Sequence, residues 1–167
     1  MIEIRRIRKA DLVAVAAIYA DAVEAGVQTG HLSQPQGTYW EEWMQIHSVD
    51  LYPAWVAIKD EVVVGWISLS PYRNGREAFK NIREVSYYIH TAHFRAGIAS
   101  GLLNVASDYA VKSGMKILLA IVISGNEPSI RFLEKNGFEV WGNLPAVVES
   151  REGVFSHCYY GKNLQLD

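Results

Sequence analysis

The chain has 167 residues, half of them hydrophobic and a fifth charged, so it can bury a substantial core and is not a disordered segment. Sixteen basic against eighteen acidic residues give a formal net charge of −2, which argues against a general nucleic-acid binder. One cysteine, Cys158, rules out an intramolecular disulfide, and no apolar run approaches the roughly 20 residues that span a bilayer.

Met1 to Arg6 alternates like a strand and lacks the apolar stretch of a signal peptide. A first strand is expected from Ile2 to about Ile7, with Ile2 and Ile4 facing inward and Ile7 out of that two-residue period, so that the strand ends or bulges there. A helix follows from about Ala10 to Glu24, with Leu12, Val15, Ala16, Tyr19 and Val23 at helical spacing, Asp11 in its first turn and Gly26 closing it. Val27 to Gly37 is mostly polar and reads as a loop. Thr38 and Glu41 form the pattern of a capping box at the start of a second helix, whose Trp40 and Trp43 share a core-packing face. Ala54 to Lys59 and Val62 to Ser70 form a hairpin around Asp60-Glu61. After a polar loop from Pro71 to Asn81, a strand is expected from Ile82 to Ile89 and a helix from Gly97 to Ser113, stopped by Gly114. Ile117 to Ile123 is a continuous apolar run, as in a strand buried on both faces. Pro128 marks the start of another helix and Gly137 its end. Two last strands cover Glu139 to Val147 and Phe155 to Asn163. With no internal repeat or linker, the expectation is one cytoplasmic α/β domain over residues 1–167, with a mixed central sheet flanked by helices. No nucleic-acid or membrane partner is expected.

The chemically informative stretch joins the strand at 83–89 to the helix after it. Small residues at 96, 97, 99, 100 and 101 let a ligand approach the backbone closely. A helix start there offers unpaired N–H groups and the positive end of its dipole, both suited to phosphate oxygens. Neither G-x-G-x-x-G nor G-x-x-x-x-G-K-[ST] is present, nor is the G-x-S-x-G elbow of a serine hydrolase. The five histidines are scattered without metal-ligand spacing, so no metal is expected.

Several segments together resemble the GNAT superfamily of N-acetyltransferases. Phe94 to Ala99 is similar to its acetyl-CoA loop, [QR]-x-x-G-x-[GA], with Gly97 and Ala99 at the last two fixed positions and Phe94 at the first. Asn126 to Phe138 resembles the superfamily's asparagine-serine helix ending in Gly-Phe. Glu84-Val85-Ser86-Tyr87-Tyr88-Ile89 resembles the E-[VS]-[ST]-x-Y-[VI] strand of the phosphinothricin N-acetyltransferase-like branch, and Pro71-Tyr72 with Arg76-Glu77-Ala78-Phe79 resembles the approach to it. The resemblance implies a single domain in which the Glu84 strand splays from the next parallel strand to open an acetyl-CoA cleft. It implies that Tyr87, Tyr88 and Ile89 hold the pantetheine arm through backbone atoms. Arg95, Ala96, Gly97, Ile98, Ala99 and Ser100 then hold the pyrophosphate, and Asn126 touches the cofactor from the neighbouring strand. Glu84 is the implied base for the attacking amine, and Tyr72, Arg76 and Phe79 the implied substrate-binding residues. Relatives often place tyrosine or histidine in the asparagine helix, where this chain has Leu133. Their G-x-W-x-D tail reads Gly153-Val154-Phe155-Ser156-His157. The implied activity is acetylation of a small primary amine, an amino acid or analogue, by a homodimer. The alternative is a CoA-binding regulatory module of the same fold without efficient turnover.

Overall fold

The computed structural model describes residues 1–164; the last three residues of the expected domain, 165–167, lie outside them. Strands β1 (Ile2–Arg6), β2 (Ala54–Lys59), β3 (Val62–Pro71), β4 (Ile82–Ile89), β5 (Ile117–Ile123), β6 (Glu139–Ser150) and β7 (Gly153–Asn163) form one sheet in the order β1-β2-β3-β4-β5-β7-β6. Neighbours are antiparallel except β4 and β5. Helices α1 (Leu12–Glu24) and α2 (Tyr39–His47) cover one face, and α3 (Ile98–Lys112) and α4 (Glu127–Lys135) the other.

Strand alternation divides the core between the two faces. Trp55 and Ala57 of β2 join Leu102 and Ala106 of α3, Leu118 and Ala120 of β5, and Leu133 of α4. Ala54 and Val56 point the other way and meet Val15, Ile18 and Tyr19 of α1 with Trp66 of β3. Trp40 and Trp43 pack on this second cluster, with the Trp43 ring 5.3 Å from that of Trp66.

β1 ends at Arg6, just before the break in period at Ile7, which still donates its N–H to Ala54 and is buried. Three local expectations change. A 3₁₀ turn, Lys9–Asp11, precedes α1, and the Asp11 carboxylate binds Arg5 and caps that turn by accepting from the Arg8 N–H. The capping box at Thr38 does not form: the Thr38 hydroxyl donates to the Glu42 carboxylate at 2.6 Å instead of accepting from the Glu41 N–H. The last hairpin is longer than its sequence pattern. The residue period breaks at Pro145 and Ala146, where the register shifts and Ala146 adopts φ 54°, but pairing resumes at Val148–Phe155 and continues to Ser150–Gly153.

The Arg5–Asp11 pair ties β1 to the start of α1 through bonds of 2.8 and 2.9 Å. The Arg5 hydrogen bond holds the Asp11 carboxyl below its ordinary range. Its stabilisation is therefore complete above the ordinary aspartate pKa and is lost as pH falls through the lowered value. Asp11→Ala is expected to cost about 2–4 kcal/mol, since it strands a largely buried guanidinium and the Arg8 N–H. Denaturant melts should show that difference at neutral pH and a smaller one in acid.

Candidate active site

Strands β4 and β5 pair only at Ile82–Ile117, Arg83–Leu118 and Glu84–Leu119. Beyond Glu84 they part: β4 stays on β3 as far as Ile89, while β5 continues against β7 to Ile123. The backbone groups of Val85–Ile89 that face β5 consequently have no strand partner. Such groups can pair with water or with an extended amide-bearing ligand.

The gap opens into a cleft of about 650 Å³ between β4, β5 and the first turns of α3 and α4. Of the residues singled out for cofactor contact, Tyr87, Tyr88, Ile89, Arg95, Gly97, Ile98, Ala99, Ser100 and Asn126 line it; Ala96 does not. The chain turns into α3 through two left-handed residues, Arg95 at φ 63° and Gly97 at φ 77°. Gly97 is the N-cap and contributes no side chain, so the first N–H groups of α3 remain open to an anion. Asn126 caps α4, accepting from the Ser129 N–H at 3.4 Å. Phe94, half exposed, lines the cleft where the resembling loop has a polar residue.

Glu84 is the last paired residue and marks the closed end of the fork. No hydrogen bond or ion pair reaches its carboxylate among the described residues, and burial pushes its pKa upward. By alternation it shares the α1–α2 face with Tyr88, whereas Val85 and Tyr87 face the α3–α4 layer.

Tyr72 and Phe79 meet edge-on with ring centroids 5.6 Å apart, and Arg76 is exposed between them in sequence. None of the three lines the cofactor cleft. They lie in the β3–β4 connection, at the Glu84 end of β4 and away from the α3 end. His93 lines the cleft, whereas His157 sits on β7 opposite Ile123 and does not. Leu133 is fully buried in the core.

The cleft also includes residues that sequence reasoning passed over. Lys135 brings positive charge from α4, and Arg131 lines the cleft while paired with Glu127 at 2.8 Å; the four-residue spacing of the two basic residues was a readable signal. Gln28 reaches the cleft from the α1–α2 loop, which has no local pattern to mark it. That loop is pinned by the Tyr19 hydroxyl, 2.5 Å from both Thr29 Oγ1 and His31 Nδ1. The Arg151 guanidinium donates to the Leu32 carbonyl, joining the β6–β7 turn to the same loop.

The family model described as the acetyltransferase (GNAT) family matches residues 14–138. The chain belongs to this family. YwnH of Bacillus subtilis (strain 168), named for phosphinothricin acetyltransferase, is 35% identical over 141 residues, covering 83% of this chain and 85% of that protein. The L-methionine sulfoximine/L-methionine sulfone acetyltransferase of Salmonella typhimurium is 30% identical over 147 residues, covering 86% and 84%. Among solved structures, yncA from Salmonella typhimurium, with its cofactor acetyl-CoA, superposes with a TM-score of 0.90 at 26% identity, covering 99% of this chain and 95% of that one. As a GNAT member with such relatives, the chain is an acetyl-CoA-dependent N-acetyltransferase, and the reading as a module without turnover is not favoured.

Proposed function

We propose that this acetyltransferase acts on the α-amine of an amino acid or a close analogue, with Glu84 as the base. The observation that carries this reading is the unpartnered, half-buried Glu84 at the closed end of a fork whose open arm presents an unpaired strand edge. Acetyl-CoA supplies the electrophilic acyl thioester, and the residues present fit it. The free edge of Tyr87, Tyr88 and Ile89 suits the amides of the pantetheine arm. The open N–H groups of α3, with Arg95, suit the pyrophosphate, and Lys135 adds positive charge. Asn126 reaches the same arm from the end of β5.

An ammonium has no lone pair for attack, so the acceptor must lose a proton first. Glu84, with its raised pKa, takes that proton directly or through a water. A β4 backbone N–H beyond Glu84 polarises the thioester carbonyl. Arg76 binds the acceptor carboxylate and Tyr72 and Phe79 pack on its side chain. The names of the two relatives, phosphinothricin and methionine sulfoximine or sulfone acetyltransferases, support an amino-acid-like acceptor. The reading includes a cytoplasmic enzyme that needs no metal, nucleic acid or membrane. It also includes a homodimer, which the exposed Val140, Trp141 and Leu144 of edge strand β6 support.

The test is thiol release from acetyl-CoA with free amino acids, their amides and simple alkylamines. Free amino acids should be preferred. Arg76→Ala should raise KM for them about 10- to 100-fold with little change in kcat, and leave the amides unaffected. An equal response of amino acids and amides to Arg76→Ala would remove the carboxylate role. Absence of release with every amine would remove the proposed acceptor class and base.

A further inference from the structure

The departing group of this reaction is a thiolate, and its negative charge develops inside the fork. At Leu133, where relatives often carry tyrosine or histidine, the structure shows a side chain sealed in the core. A phenol stands on the same layer beside the cleft. Tyr87 lies three residues past Glu84, roughly 10 Å along the strand, where the fork is already open. Its side chain turns toward the α3–α4 layer, packs edge-on against Phe132 at 5.1 Å, and places its hydroxyl 2.5 Å from Ser129 Oγ. Tyr87, Phe132 and Ser129 all line the cleft.

We infer that the Tyr87 hydroxyl is the hydrogen-bond donor to the departing sulfur, oriented by the Ser129 hydroxyl. Ser129 donates to the phenol oxygen, leaving the phenol hydrogen free to point into the cleft. Strand alternation separates the two roles: Glu84 handles the amine on the α1–α2 face, and Tyr87 meets the sulfur on the opposite face. The acceptor, its first proton already passed through Glu84 to solvent, forms the N–C bond as a neutral amine; the C–S bond breaks with its electron pair passing to sulfur, and the second nitrogen proton then leaves to the freed Glu84 carboxylate or to water. Burial pushes the Tyr87 phenol up to about 12. The phenol therefore keeps its proton and shares it with sulfur, which takes its own proton from water after leaving.

This inference rests on acetyl-CoA occupying the cleft, and its test reads more than turnover. In the CoA complex, a donor to the sulfur lowers the thiol pKa, measurable from thiolate ultraviolet absorbance across pH. Tyr87→Phe retains the ring and its Phe132 contact and should raise the pKa of the bound thiol by about one unit. Ser129→Ala should raise it less, and serves as the test if Tyr87→Phe does not fold. Kinetics add an opposite-trend check. Weakly basic amines are themselves good leaving groups, so sulfur departure limits their rate and the Tyr87→Phe defect should grow with them, to roughly 10- to 100-fold. A Glu84 variant should show the reverse, because those amines are already neutral. An unchanged thiol pKa in folded Tyr87→Phe that binds CoA, or an equal defect for all amines, overturns the role of the phenol alone. Failure of the wild-type chain to bind CoA, read by calorimetry in the same samples, overturns the occupancy as well.

Discussion

Glu84→Gln is expected to fold, to bind acetyl-CoA as the wild type does, and to acetylate its amine about 10²–10⁴-fold more slowly. Glutamine keeps the shape and most of the hydrogen-bonding capacity but cannot take the ammonium proton. The residual rate should climb with pH as free amine becomes available from solution. In the wild type, activity should fall in acid through a pKa above the ordinary glutamate range, because burial raises that of Glu84, and the variant should lack this limb. Stability should move the other way. A raised folded-state pKa means that the folded chain holds the proton more tightly than the unfolded one. The stability contribution is full below the ordinary glutamate range and is lost as pH rises through the raised value. Glu84→Gln should therefore melt at a higher temperature than the wild type at neutral pH. Near-wild-type turnover across pH would sink the assignment, and collapse of the fold would mark Glu84 as a structural residue.

Gly97→Val is expected to lower acetyl-CoA affinity by about 10- to 100-fold, or 1.4–2.8 kcal/mol. Gly97 has φ +77° and a Cβ there would meet nothing within 4 Å, so the folded protein has room for the side chain. The damage comes from two other sources. A β-branched residue resists the left-handed conformation, and the added methyls occupy the approach to the α3 N–H groups. Gly114 supplies the control. It has φ +74° and equally open space at its Cβ, but it closes α3 at the far end from the cleft. Gly114→Val should lose similar stability while binding acetyl-CoA normally, as calorimetry on both variants will show. Equal loss of affinity in the two variants would assign the effect to folding rather than to the cofactor loop.

Most of the fold, and several of the residues that line the candidate cleft, were legible in the sequence. The β4 segment alternates and the β5 segment is uniformly apolar, which set a half-buried strand beside a fully buried one. Gly97, Gly114 and Gly137 mark helix ends because each adopts a positive φ that other residues resist. Ile98 and Leu102 recur at the helical period, so the α3 face that meets the sheet was visible before any contact was known. These are signals carried by a few neighbouring residues. Capping was less legible: the Thr38–Glu41 spacing fits a capping box, but the Thr38 hydroxyl donates to the Glu42 carboxylate and caps no helix N–H.

Other features depended on segments far apart in the chain. Parallel pairing stops after Glu84–Leu119 because β5 follows β7 while β4 follows β3, and no local pattern records where two such commitments diverge. Gln28 enters the cleft because Tyr19 and Arg151, one on α1 and the other in the last hairpin, hold its loop in place. Tyr87 and Ser129 are 42 residues apart, yet their hydroxyls meet across the cleft. Tyr72, Arg76 and Phe79 belong to a loop that the fold keeps off the cofactor cleft, at the Glu84 end of β4. Residue types and their periods determined the elements and the chemistry available to them. The reach of each side chain, and whether its charge is buried or wet, was decided only when the sheet brought distant segments together, since desolvation and hydrogen bonding depend on neighbours in space.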